Sequence, residues 1–181
     1  MRTNRSLRRL TALLAMLLGL NLSLAACSGS GGGGADSVVL NVGATTEPTG
    51  MDPAVDTGAG TPFVLLYNVY ETLVRIDEKG EIKPLLARSW SASSDGSVYT
   101  FKLEPNATFA SGKPVNAAAV IASFERTRDG ENTTEVLKKQ MSRIKEMRAV
   151  DDHTVEVTLT ASSKRWLYDI TSTAGIVYDL S

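Results

Sequence analysis

The chain has 181 residues, 43% of them apolar and 22% charged, with a net charge of −1, which suits one globular domain on a prior of roughly 100–200 residues each. The first 27 residues hold four arginines and no acid, so the remainder carries 15 basic against 20 acidic side chains, and a mildly acidic body excludes an electrostatic nucleic-acid binder. The single cysteine, Cys27, excludes an intramolecular disulfide.

The chain opens on a cationic segment, Arg2 to Arg9, followed by a short apolar run from Leu10 to Leu20. A spanning helix needs ~20 apolar residues, so residues 1–27 read as a cleaved signal peptide. Its end, Leu24-Ala25-Ala26-Cys27, resembles a bacterial lipobox. That resemblance implies a diacylglyceryl group on Cys27, with cleavage leaving this cysteine first. More than one acyl chain gives stable membrane anchoring, on the outer face of the cytoplasmic membrane. Residues 28–36 are Ser, Gly and Ala up to one Asp, a flexible tether. Gly31 to Gly34 lack the flanking strand and Lys-Ser/Thr of a phosphate loop.

The body runs over 37–181. Ser37 to Gly43 is β-branched and apolar, which predicts a buried strand. Thr45 to Ala59 is rich in Thr, Pro, Gly and Asp and predicts an irregular loop. Within it, Asp56-Thr57-Gly58-Ala59 spells the loop of an aspartic protease. That chemistry needs two carboxylates sharing one proton and an apolar strand before the loop, whereas Pro53 and Ala54 stand there. A turn, in a protein that is not an enzyme, is the reading. Phe63, Leu66, Tyr67, Tyr70 and Leu73 recur at helical spacing over Thr61 to Leu73. Leu73 to Ile76 predicts a strand and Asp77 to Gly80 a turn. Glu81 to Lys83 returns to Pro84, and a second strand runs through Trp90.

Ser93 to Gly96 is a hairpin turn before an alternating strand, Val98 to Leu103. Asn116 is placed to cap a helix from Ala117 to Arg128, ended by Asp129-Gly130. A polar-faced helix over Thr133 to Gln140 follows. Two strands, Met141 to Asp151 and Thr154 to Thr160, flank Asp151-Asp152-His153. His153 is the one histidine and sits at a turn tip. No cluster of metal ligands accompanies it, so neither a metal site nor a cofactor is expected. Trp166 to Ile170 has helical spacing, and Gly175 to Tyr178 starts another apolar run.

Three blocks carry a resemblance. Tyr70-Glu71, Gly80, Pro84, Leu86-Ala87 and Ser89-Trp90 form one, Glu47 to Pro53 a second, and Asn106 to Ala117 a third. Together they resemble the family-5 solute-binding proteins of bacterial ABC importers, which include dipeptide-, oligopeptide- and nickel-binding members. The match departs at Ala117 to Val120. The resemblance implies an α/β (mixed α+β) fold, the N-terminal portion of a type II periplasmic-binding-protein fold, with a small mixed sheet and flanking helices. The first strand of the large lobe would occupy 37–58 and a smaller subdomain about 59–170. The implied function is extracytoplasmic capture of peptides for an ABC permease. Nickel-chelate binding is an alternative within the family, and a lipid-anchored protein-interaction module is an alternative of another class. Thr57, Gly60, Thr61 and Phe63, with Ser172, Thr173, Ala174 and Gly175, are the implied ligand-proximal residues. Family members are much longer, so the chain is expected to be truncated and to offer one wall of the cleft. Apolar faces at Val38 to Val42 and Ile176 to Tyr178 should then lie uncovered.

Overall fold

Residues 41–56 and 58–180 are described by a computed structural model. The signal peptide, Cys27, the tether and Thr57 lie outside them, as does most of the strand expected at Ser37 to Gly43; its described end, 41–43, is not in a strand. Gly43–Ser181 forms one compact unit.

Helix α1 covers Gly60–Leu65. It is shorter than the periodicity predicts, and its physical end lies in the tyrosines. The Leu65 carbonyl accepts from the backbone of Asn68, Val69 and Tyr70 at 3.3, 2.9 and 2.9 Å. Tyr67 sits at φ 66, a conformation that stops a right-handed helix. Its hydroxyl donates to the Thr171 carbonyl, and the Tyr70 hydroxyl donates to the Met51 carbonyl at 2.8 Å. Contacts across the fold have claimed side chains that the spacing assigns to one helical face. Phe63, at the helical spacing, is 73% exposed.

Strands β1 (Val74–Ile76) and β2 (Ile82–Pro84) pair antiparallel. Asp77 shapes their turn, its Oδ1 accepting from the N–H of Lys79 and Glu81 at 2.9 and 2.8 Å, and Gly80 supplies the positive φ. β3 (Ala87–Ala92) and β4 (Val98–Leu103) form the next hairpin. β5 (Ile144–Asp151) and β6 (Thr154–Leu159) complete a four-stranded sheet in the order β3-β4-β6-β5. The expected mixed sheet is therefore two antiparallel sheets among the described residues.

The larger sheet has one buried face. Tyr99, Phe101 and Leu103 of β4 lie beside Val155, Val157 and Leu159 of β6, all buried, as period-two alternation requires. Helix α2 (Ala117–Asp129) buries Val120, Ser123, Phe124 and Thr127, and Asn116 caps it by accepting the Ala119 N–H at 2.9 Å. Helix α3 (Glu135–Met141) adds Leu137 and Met141. Met141, expected to begin β5, instead ends this helix. Helix α4 (Trp166–Asp169) inserts Trp166 against Tyr99 and Phe101, ring centroids 5.0 and 6.2 Å apart. Ile176 to Tyr178 is not uncovered, contrary to expectation: all three are buried. Val177 donates to the Glu71 carbonyl at 2.9 Å, Tyr178 to Ser123 Oγ at 2.8 Å, and Ala54, Leu66 and Tyr70 cover the run.

Candidate functional site

The loop before α1 is built around two aspartates with different tasks. Asp52 Oδ1 accepts the Ala54 N–H at 3.1 Å, and its carbonyl accepts from Val55 and Asp56 at 3.2 and 3.0 Å. The other carboxylate oxygen is ion-paired with Arg126 Nη2 of α2. The same guanidinium lies 4.5 Å from the centre of the Tyr178 ring, a cation–π contact. Burial pushes the Tyr178 phenol well above its ordinary pKa, so that ring stays neutral beside the arginine. Asp52 thereby fastens the loop to α2 and to the returning chain.

Asp56 organises the loop's tip. Its carboxylate accepts the hydroxyls of Thr49 and Thr61 and the Gly58 N–H at 2.8 Å. The Thr49 hydroxyl first, then Thr61 and the Gly58 amide, hold its pKa down at about 2, because each donor favours the charged form. It follows a turn at 53–55, without the strand that an aspartic-protease loop requires, and its oxygens are engaged as loop acceptors.

The two segments named from the sequence come together here. Thr61, 1% exposed at the start of α1, and Thr173, from the single turn of 3-10 helix at Thr173–Gly175, line one hollow of about 260 Å³. Asp56 and Gly58 also line it. Ser172 caps that turn, accepting the Ala174 N–H at 3.3 Å and donating to the Asp169 carbonyl at 2.6 Å. Gly60, Ala174 and Gly175 are buried and are not among the residues that line the hollow. A Cβ at Gly60 would stand 2.5 Å from the Glu47 carbonyl oxygen, and one at Gly175 1.9 Å from that of Ile170. Phe63 is not among the lining residues and projects into solvent. Thr57 lies outside the described residues.

Five lining residues lie outside the two segments named from the sequence: Pro53 and Asp56 in the loop, Thr134 at the N-cap of α3, and Val136 and Leu137 within that helix. The Thr134 N–H donates to the Ala54 carbonyl at 3.0 Å, which brings α3 against the loop. No local pattern signals that pairing; it is a long-range contact. Among the described residues no group of three or more His, Cys, Asp or Glu could hold a metal ion. No described helix is long and apolar enough to cross a membrane. His153 sits in the β5–β6 turn, its N–H donating to Asp151 Oδ1 at 2.8 Å.

Residues 81–179 match the family described as "Bacterial extracellular solute-binding proteins, family 5 Middle". The chain is similar to a probable D,D-dipeptide-binding periplasmic protein, DdpA, of Escherichia coli. They are 36% identical over 138 residues, 73% of this chain and 26% of that protein. It is 28% identical to the dipeptide-binding protein DppE of Bacillus subtilis, covering 89% of this chain and 34% of the relative. Among solved structures it resembles the Escherichia coli murein tripeptide binding protein MppA, with a TM-score of 0.66 and 28% identity, over 74% of this chain and 29% of that one. The chain thus spans about a quarter to a third of the length of these relatives.

Proposed function

The chain belongs to the family-5 bacterial extracellular solute-binding proteins, and from that premise we propose that it captures peptides outside the cytoplasm, without chemistry on them, for an ABC permease. The observation that carries this reading is the meeting of Thr61 and Thr173, far apart in sequence, at one hollow. Ligand sites are concave, mostly apolar and furnished with a few placed polar groups. This one has Pro53, Pro62, Val136 and Leu137 as walls and three threonines with one carboxylate as polar points. The residues in contact with the solute are proposed to be Thr61 and Thr173, with Gly60, Ser172, Ala174 and Gly175 shaping the wall. Thr57 and the exposed Phe63 would flank it. The anchor proposed at Cys27, with the signal over 1–27, rests on the lipobox-like sequence.

The test is a titration of the isotope-labelled chain with di- and tripeptides, followed by amide chemical shifts. One wall leaves much of a ligand in water and recovers little of the ordering cost of binding. The expected affinity is about millimolar, near −4 kcal/mol, with shifts concentrated at Thr61 and Thr173. Peptides that leave both amides unmoved would overturn the reading. Micromolar affinity from the soluble monomer would show that a second wall is not needed.

A further inference from the structure

We propose that Tyr67 is a positioning residue for the hollow: it holds the segment carrying Thr173 in register with the start of α1, which carries Thr61. This rests on the peptide-capture reading and adds the residue that sets the spacing of the two segments. Tyr67 does not line the hollow, so it acts through the wall and not on the solute. Its φ of 66 is shared by no other non-glycine among the described residues. A bulky side chain in that conformation costs backbone energy that glycine avoids, and it persists only where surrounding contacts hold it.

Those contacts lead to the wall. The Tyr67 N–H donates to the Tyr70 carbonyl at 2.7 Å, closing the turn that ends α1. The left-handed conformation takes the side chain out of the helical period, and its hydroxyl donates to the Thr171 carbonyl. Thr171 directly precedes Ser172, the cap of the turn at Thr173–Gly175. Beyond that turn, Ile176 pairs with Thr72, and Val177 donates to the Glu71 carbonyl at 2.9 Å. The wall segment is thus fastened to residues 67–72 at both ends, and Tyr67 makes the first attachment. The other hydrogen bonds of Thr171 and Ser172 are local. The Thr171 N–H and hydroxyl donate to the Tyr168 carbonyl, and the Ser172 hydroxyl donates to that of Asp169. They shape the turn without setting its distance from α1.

The test compares Tyr67→Phe, which loses only the hydroxyl, with Tyr99→Phe. The Tyr99 hydroxyl also donates to a carbonyl, that of Ser163 at 2.8 Å, but Tyr99 is in the core of the sheet and does not line the hollow. Amide hydrogen exchange, thermal melts and di- and tripeptide titrations are run on the isotope-labelled full chain. The Gly175 amide, which donates to the Ser172 carbonyl at 3.0 Å, is the reporter. In Tyr67→Phe it should exchange about fivefold faster, with the strand amides unchanged, and peptide affinity should fall several-fold. Tyr99→Phe should lower the melting temperature at least as much while Gly175 exchange and peptide affinity stay at wild type. That split separates positioning from general stability. Tyr67→Gly relieves the positive φ but has no hydroxyl, so it should restore neither property. Wild-type exchange or affinity in Tyr67→Phe or Tyr67→Gly, or an equal loss in Tyr99→Phe, would overturn the proposal. If no peptide moves Thr61 or Thr173 in the wild type, peptide capture falls, and Gly175 exchange alone then decides whether Tyr67 holds the wall.

Discussion

At the scale of single residues, Asp56 and Gly175 make the sharpest demands. Asp56 is a structural acceptor, and its protonation sets a stability window. Its folded pKa of about 2 lies below the ordinary 3.8, so the unfolded chain binds the proton more readily. The stabilisation is fully present above about pH 4 and is lost as pH falls through about 2. Thermal melts of the wild type and Asp56→Asn should differ at pH 5 to 7 and converge near pH 2. Neither form should cleave peptides at acid pH, and acid peptidase activity that disappears in Asp56→Asn would contradict the binding-protein reading. Gly175 is required for a different reason: a Cβ there would stand 1.9 Å from the Ile170 carbonyl oxygen. Backbone cannot yield as a flexible side chain does, so Gly175→Ala should lower the melting temperature and shift the Thr173 amide before it perturbs the sheet.

At the scale of elements, α2 shows local and tertiary terms separately. Asn116 closes its first turn, and Asn116→Ala should cost about 1 kcal/mol in denaturant unfolding. Phe124, fully buried in the core, should cost about 3–5 kcal/mol when cut to alanine. If the two costs came out equal, α2 would not be held mainly by its packing. The cap and the end of α2 were legible in the sequence because both are local. The end of α1 was not. Phe63, Leu66, Tyr67 and Tyr70 share a helical period, but Tyr67 and Tyr70 are held by carbonyls at Thr171 and Met51, partners that spacing cannot name. Tertiary hydrogen bonds outweighed a weak local preference.

At the scale of the whole molecule, two consequences concern where the chain resides and what covers it. If Cys27 carries the lipid proposed for it, the mature protein should partition into detergent, and Cys27→Ser should abolish that partitioning. Unchanged partitioning in the variant would refute the anchor. The returning run at Ile176 to Tyr178 is covered by Ala54, Leu66 and Tyr70, so it is not the aggregation-prone face that a one-lobed chain was expected to show.

The sequence by itself determined the hairpins, the capped helix and the family, because turns, caps and motif blocks are written in neighbouring residues. Gly80 and Gly96 fall at positive φ in the turns assigned to them, and the spacing of Tyr70-Glu71, Gly80, Pro84 and Ser89-Trp90 led to the family matched over 81–179. Only the tertiary structure decided the site. It brought Thr61 and Thr173 to one hollow and added Thr134, at the N-cap of α3, with Val136 and Leu137 of that helix. The physical reason is range. Backbone preferences act over a few residues, whereas a binding surface is assembled by packing, which pairs segments whose separation along the chain carries no signal of their contact.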